Sequence, residues 1–253
     1  MRKLIVIPAR YASSRLPGKP LLRETGKYMV QHVYERAWQS KLADRVIVAT
    51  DDDRIEQACE SFGAEVVRTR EDHASGTDRV AEVAESRNFD LILNLQGDEP
   101  LIDPAKLDLL FQLLENDAAA EMATLVTPLT SLESYRNPNV VKAVVDDRGR
   151  ALYFSRSPIP HLRDNAEPGP EALRGLVWQH VGLYAYRKDF LLRLARLPVH
   201  PIEQAEKLEQ LRVLATGGSI AVGKVENAGI GVDTFEDYRR FVEQYLQSGR
   251  RAA

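Results

Sequence analysis

Between residues 3 and 96 the chain alternates short, almost wholly apolar runs with stretches of helical periodicity. The runs are KLIVIPA (3–9), RVIVAT (45–50), EVVRT (65–69) and LILNLQ (91–96), and the helical patterns cover Val30–Lys41, Asp53–Phe62 and Thr77–Ser86. A run that is apolar on both faces is a strand covered on both sides, and strands joined through helices lie parallel. Crossovers are right-handed, so the commonest doubly wound order sets strand 1 beside strand 4, where the winding direction reverses. Ligands in such sheets bind outside the carboxyl ends of the strands at that point. The two loops that must meet there are therefore RYASSRLPGKP (10–20), which follows strand 1, and QGDEP (96–100), which follows strand 4.

The second half is less regular. VVKAVVDDRGRALYF (140–154) reads as a hairpin turning at Asp147-Arg148-Gly149, and QHVGLYAY (179–186) as a strand with His180, Gly182 and Tyr184 on one face. PIEQAEKLEQLRVLATGG (201–218) has the pattern of one amphipathic helix, with Leu208, Leu211 and Leu214 inward and Gly217 as its cap. SIAVGKV (219–225) is a strand, and VDTFEDYRRFVEQYL (232–246) a closing helix with Thr234 and Asp237 spaced as a capping box. The polar, Pro/Gly-rich segment 163–175 reads as a mobile loop. The fold expected is a single α/β domain: a mixed sheet with helices on both faces and an inserted antiparallel part.

At 253 residues and net charge −3, the surface as a whole does not attract nucleic acid, so an anion site must be a local cluster. The single Cys59 excludes an internal disulfide and fits a reducing cytosol. No apolar run is long enough for a membrane and no start has signal-peptide form, so a soluble cytoplasmic protein is expected.

Arg10, Arg15 and Lys19 share the strand-1 loop with Ser13 and Ser14, braced by Pro17, Gly18 and Pro20. PGKP has neither the spaced glycines nor the Ser/Thr of a Walker loop, so backbone amides alone are not expected to cradle the anion; two guanidiniums and an ammonium would hold it through charge-assisted bonds, with Ser13 and Ser14 adding hydroxyl and backbone donors. A solvated loop with surface ion pairs is the commoner fate of such a stretch, but its place at the switch point favours a triphosphate site. The Asp98-Glu99 pair in a Gly-Pro turn suits Mg²⁺, which takes one or two carboxylates and fills its shell with phosphate and water. Asp233 precedes a helix, where it could be only a cap, yet NAGIGVDT (227–234) is loosened by glycine ahead of it. EDHASGTDRV (71–80) is either a helix start capped by Ser75 or Thr77, or a polar readout of base or sugar. No Ser-His-Asp arrangement and no zinc spacing is legible. Cations for a leaving pyrophosphate and carboxylates for Mg²⁺ together indicate phosphoryl-type chemistry on a nucleotide.

IPARYASSRLPGKPL, VATDD, HASGTDRVAE, NLQGDEPLI, NPNVVKAV, ALYFSRSPIP, HVGLYAYR, LEQLRVL and GVDTFED, in this order along nearly the whole chain, closely resemble the 3-deoxy-manno-octulosonate (Kdo) cytidylyltransferases, or CMP-Kdo synthetases. The resemblance implies a nucleotide-diphospho-sugar transferase fold and transfer of a cytidylyl group from CTP to Kdo, giving CMP-Kdo and diphosphate for lipopolysaccharide assembly. It implies a Mg²⁺-dependent cytoplasmic homodimer, with no nucleic-acid or membrane partner. Carried over by motif, Arg10, Ser13, Arg15 and Lys19 hold the CTP phosphates, Ser75, Arg79 and Gln96 lie around the cytidine, and Asp98 and Asp233 carry the metal. Lys19, Asp98 and Asp233 form the implied catalytic set, and Arg156, His180, Tyr184, Glu209 and Gln210 receive the acidic sugar. Residues 1–130 are then the nucleotide half, 131–225 the acceptor and dimerisation part, and 226–253 the closing metal loop and helix. One departure is Gly26-Lys27-Tyr28-Met29, where the family has GKPM. The nearest alternative is another acidic sugar, 8-amino-Kdo or a sialic acid. A glycosyltransferase would need an Asp-x-Asp motif after a central strand; Asp51-Asp52-Asp53 follows strand 2, away from the switch point. A non-catalytic nucleotide-sensing module would not need two separated metal carboxylates.

Overall fold

The structure is a computed structural model that describes residues 1–12, 16–73, 75–165, 167–229 and 231–251. The chain divides into two compact units: a flanking unit of Arg2–Asp108 with Gly229–Ala253, and an inserted unit of Leu109–Ala228 grouped with Met1.

In the flanking unit the strands are β1 (Lys3–Ala9), β2 (Arg45–Thr50), β3 (Val66–Arg68) and β4 (Leu91–Asn94). Their order is β3-β2-β1-β4 and every pairing is parallel. Strand 1 thus lies beside strand 4, as the crossover rule requires. Leu4–Ile7, Val46–Ala49 and Leu91–Leu93 are buried, which is why these runs carry no polar alternation. β3 and β4 are shorter than their apolar runs suggest. The connecting helices are α1 (Met29–Ala37), α2 (Asp53–Ser61) and α3 (Gly76–Glu85). Asp52 caps α2 by accepting from the amides of Arg54 and Ile55, so it is part of a helix end. Tyr28 occupies the N-cap of α1 two residues after Gly26, whose φ is 89°, so the departure from GKPM is accommodated at a helix start.

The inserted unit begins within α4 (Pro104–Asn116) and continues with β5 (Met122–Pro128), two elements the sequence pattern leaves unassigned. After α5 (Leu132–Arg136) come β6 (Lys142–Val145) and β7 (Ala151–Ser155), the expected hairpin, with Gly149 at φ 75° in its turn and Asp146 accepting from the amides of Arg148 and Arg150. The segment expected to be a mobile loop holds a helical turn, α6 (Pro170–Leu173), and Leu173 is buried with Leu129, Tyr135 and Val177. β8 (Trp178–Arg187) runs antiparallel to β5, and β6 pairs with its start. α7 (Lys188–Leu194) follows, then α8 (Pro201–Glu206), α9 (Gln210–Ala215) and β9 (Ile220–Lys224), which is parallel to β5. Strand direction is therefore mixed. The single helix expected over 201–218 is two helices, broken where Lys207 adopts φ 53°. A bidentate pair at 2.6 Å between Arg212 and the buried Glu203 spans the break. Gly217, at φ 80°, follows the end of α9 as expected.

The last element, α10 (Phe235–Arg251), returns to the flanking unit. Tyr238 and Phe241 on α10 pack with Val232, Met29 and Leu16 in one buried cluster. Burying such side chains is worth roughly 1.5–3 kcal/mol each. The cluster also seats Val232 and Leu16, which neighbour Asp233 and the strand-1 loop.

Candidate active site

The loops after β1 and β4 meet. A Cβ on Gly97 would lie 3.2 Å from the carbonyl of Pro8, so a side chain there would push the two backbones apart by a few tenths of an ångström. In the first loop Gly18 has φ 68°, and the Tyr11 ring lies 3.2 Å from where its Cβ would be. A single helical turn over Lys19–Leu21 then carries Lys19 inward. Its Nζ donates to Asp98 Oδ2 at 3.1 Å and to the carbonyl of Val232 at 2.9 Å, and it lies 3.8 Å from Asp233 Oδ1. Lys19 thus ties together two carboxylates separated by 135 residues (233 − 98). The amide of Val232 also donates to the Asp98 carbonyl at 2.8 Å.

Asp233 is not the cap of α10. Thr234 is: its Oγ1 accepts from the Asp237 amide at 3.2 Å, and Asp237 accepts from the Thr234 amide at 2.9 Å, the expected capping box. The Thr234 hydroxyl, which donates to Asp237 Oδ2 at 2.8 Å, and then the backbone amides of Thr234 and Asp233 hold the Asp237 carboxyl below its usual range.

Glu99 extends the acidic group. Burial, and then the charge of Asp98, push its carboxyl up to about 7. Its Oε2 is buried with no hydrogen-bond partner among the described residues. Lys106 lies beside it, and burial lowers that ammonium against the pull of Glu99. Gly229, at φ 91°, passes over the pair: its Cβ would stand 3.5 Å from Glu99 Oε2 and 3.6 Å from Lys106 Nζ. Three carboxylates against two ammoniums leave an acidic excess here. Asp98 and Asp233 with an unsatisfied carboxylate oxygen nearby fit one small divalent cation that keeps water and phosphate in its shell. Among the described residues no three His, Cys, Asp or Glu side chains converge as a closed metal cage. The sequence offers Asp98 and Glu99 together as a Mg²⁺ platform, but the metal set implied by the family motifs keeps only Asp98 of the two, and Lys106 is not among the candidates. Glu99 was visible as half of a carboxylate pair; nothing local distinguishes Lys106 from a solvated helix lysine.

The remaining nucleotide candidates differ in their surroundings. Arg10 donates through Nη2 to the carbonyls of His73 and Ser75, at 2.9 and 2.7 Å, tying the β1 loop to the start of α3. Ser75 caps α3 in a box with Asp78. Arg79 is fully buried: it pairs with Asp51 at 2.5 Å and bonds Thr69 Oγ1, while its Nε has no hydrogen-bond partner among the described residues. Its guanidinium thus fastens α3 to the ends of β2 and β3. Gln96 lies in the β4 turn, its carbonyl accepting from the Glu99 amide at 3.3 Å. Ser13 and Arg15 lie outside the described residues.

The five acceptor candidates fall in the inserted unit. Thr124 Oγ1 donates to the carbonyl of Leu183 at 2.9 Å, so it accepts from His180 Nε2, at 3.0 Å, and Nδ1 is left as an acceptor. Burial lowers the basicity of His180, so the ring is neutral near pH 7. The His180 and Tyr184 rings are 5.5 Å apart, and Tyr184 Oη donates to Gln210 Oε1 at 3.3 Å. Burial, then the charge of Glu209, pushes the Tyr184 phenol up, so it remains a donor. The Nε2 of Gln210 is buried with no hydrogen-bond partner among the described residues. Glu209 is exposed at the start of α9. Arg156 follows β7; its Nε donates to the Glu206 carbonyl at 2.6 Å and its Nη1 to the Pro138 carbonyl at 3.0 Å. His180, Tyr184 and Gln210 are thus joined directly, and Arg156 is anchored separately by the break between α8 and α9.

Residues 4–220 match the family model described as Cytidylyltransferase. A protein of Syntrophotalea carbinolica named 3-deoxy-manno-octulosonate cytidylyltransferase is 55% identical over 246 residues, covering 96% of this chain and 97% of its own. Its namesake from Geobacter metallireducens is 51% identical over 248 residues, covering 96% and 98%. A solved structure described as CMP:2-keto-3-deoxy-manno-octonic acid synthetase complexed with CTP superposes with a TM-score of 0.91 at 46% identity, covering 98% of this chain and all of that one. With the family motifs in order along the chain and this degree of identity over nearly its full length, the chain belongs to the cytidylyltransferases, and among them to the 3-deoxy-manno-octulosonate cytidylyltransferase family.

Proposed function

We propose that the chain transfers the cytidylyl group of CTP to Kdo, releasing diphosphate and forming CMP-Kdo for lipopolysaccharide assembly. The observation that carries this reading is Lys19, whose ammonium gathers Asp98 and Asp233 at the carboxyl end of the strand pair β1–β4. The reaction forms a bond between the anomeric oxygen of Kdo and the α-phosphorus of CTP and breaks the bond from that phosphorus to the bridging oxygen of the β-phosphate. The hydroxyl proton leaves to solvent and the electron pair departs with diphosphate.

Arg10, Arg15 and Lys19 are the cations that neutralise the triphosphate, acting by charge placed in advance of the reaction, and Ser13 adds hydrogen-bond donors beside them. Asp98 and Asp233 are the residues that would hold Mg²⁺, which when bound screens the phosphate oxygens and lowers the pKa of a coordinated hydroxyl. On the acceptor side a cation, Arg156, suits the sugar carboxylate. Neutral His180, with Nδ1 as acceptor, suits a sugar hydroxyl, as do Tyr184, Glu209 and the unpartnered Nε2 of Gln210. On this reading the flanking unit serves the nucleotide and the inserted unit the acceptor. The proposal includes a cytoplasmic homodimer, as the family resemblance implies. No helix among the described residues is long and apolar enough to cross a membrane, and Cys59 is a free buried thiol.

The test is diphosphate release from each of the four nucleoside triphosphates against Kdo, 8-amino-Kdo and N-acetylneuraminate in the presence of Mg²⁺. CTP with Kdo is expected to give the highest kcat/KM; a higher value for another pair would overturn the assignment of substrate.

A further inference from the structure

Lys142 is a lysine with no exposed surface, set in β6 opposite Ser155 of β7. Burying an ammonium costs several kcal/mol unless its donors are fully used, and these are: Nζ donates to the carbonyls of Asn137 at 2.9 Å, Val140 at 2.6 Å and Arg156 at 2.6 Å. Burial lowers this ammonium's pKa, in keeping with its enclosure. Two of those carbonyls flank Pro138, and the carbonyl of Pro138 accepts from Arg156 Nη1. Lys142 therefore holds Arg156 twice, once by its own carbonyl and once through the turn that receives its guanidinium.

Glu206, the last residue of α8, holds the same arginine from the other side. Its carboxylate accepts from the Arg156 amide at 2.8 Å and from Ser155 Oγ at 2.6 Å, and its carbonyl accepts from Arg156 Nε at 2.6 Å. The amide, carbonyl, Nε and Nη1 of Arg156 are all engaged. Nη2 is its one nitrogen with no protein partner among the described residues. A surface arginine that only needed a counterion would not require such a frame.

We propose that Lys142 and Glu206 are positioning residues that clamp Arg156 so that its Nη2 edge is presented to the carboxylate of the acceptor sugar. The proposal rests on the reading of Arg156 as the acceptor's cation. Neither Lys142 nor Glu206 touches the sugar; they set where the fork points. Displacing a substrate-orienting group by about 1 Å can cost on the order of 10²-fold.

The experiment is steady-state kinetics on Lys142→Met, Glu206→Gln, Arg156→Ala and the two double variants with Arg156→Ala, with CTP affinity measured separately by calorimetry. Lys142→Met is expected to raise KM for Kdo about 10- to 100-fold while the Kd for CTP stays within about twofold. In the Arg156→Ala background neither clamp substitution should raise KM further, because its only route to the sugar is gone. Glu206→Gln, which keeps volume and part of the bonding, carries the same test should Lys142→Met not fold. Effects that add to Arg156→Ala, equal losses for CTP and Kdo, or an unchanged KM in a folded clamp variant overturn the proposal. Arg156→Ala with unchanged KM for Kdo would instead remove the acceptor reading beneath it.

Discussion

Lys19→Ala separates a catalytic cation from a structural strut. The ammonium is 14% exposed and has three partners, two of them charged. Hydrogen bonds to charged groups are worth roughly 1.5–3 kcal/mol when buried. Asp98 and Asp233, however, are 30% and 46% exposed, so water replaces much of what they lose. The total cost to stability is therefore about 1–2 kcal/mol, or about 2–8 °C in Tm for a chain of this size. A typical domain has 5–15 kcal/mol to lose, so the variant stays folded at 25 °C. If the cation stabilises charge developing on the phosphates, kcat/KM for CTP should fall on the order of 10²-fold or more, about 2.7 kcal/mol or above. Initial rates of diphosphate release at 25 °C, paired with thermal denaturation by circular dichroism, measure both. A variant with lowered Tm and kcat/KM within about twofold of the parent would show that Lys19 only braces the loop.

The other expectations follow from named environments. His32 is 4% exposed and packs against Phe241 and Tyr245; its Nε2 bonds Thr25 Oγ1, whose own proton goes to the Lys27 carbonyl, so the ring donates, and burial holds it down to about 4. The folded state thus favours the neutral ring; the stability this gives is present above pH 6.5 and is lost as pH falls from there to about 4, by roughly 3 kcal/mol. His32→Gln should flatten that part of the Tm-against-pH curve; an acid limb identical to the parent's would refute it. Arg156→Ala should raise the requirement for Kdo and leave CTP affinity nearly unchanged, and equal losses in both would abolish the split between nucleotide and acceptor residues. Cys59 is buried and its thiol is pushed up to about 12, so alkylation at pH 8 should track global unfolding in denaturant. Fast labelling of the native protein would contradict that.

What the sequence made legible depended on how far apart the interacting residues lie. Strands β1, β2 and β4 were plain because burial on both faces leaves an unbroken apolar run, and their order followed from crossover handedness. The capping box at Thr234 and Asp237 and the hairpin turn at Gly149 are local and were equally readable. α4 and β5 were not assigned, because LDLLFQLLENDAAAEMATLV joins two apolar elements with no glycine or proline between them. The break at Lys207 had no local signal, since a lysine at positive φ is set there by tertiary bonds from Glu203 to Arg212 and from Glu206 to Arg156. Likewise Arg79 reads as a polar-loop cation, and only the fold brings Asp51, 28 residues away, against it. The burial of Lys142 was hidden for the same reason: a lysine in an apolar strand suggests an edge facing water. The pairing of Asp98 with Asp233 was reached through family motifs, and Lys19 is the group that makes it a matter of distances.

The most direct measurement is a ³¹P NMR time course with the full chain, CTP, Mg²⁺ and Kdo. The account predicts that the three CTP resonances give way to one phosphodiester signal and to inorganic diphosphate in equal amounts, and that turnover stops when Kdo is omitted. It predicts the same spectrum, slowed by orders of magnitude, for Asp233→Asn, which cannot be excused as a lost cap because Thr234 holds that position. Release of CMP in place of the phosphodiester, or an Asp233→Asn enzyme as fast as its parent, would contradict the account.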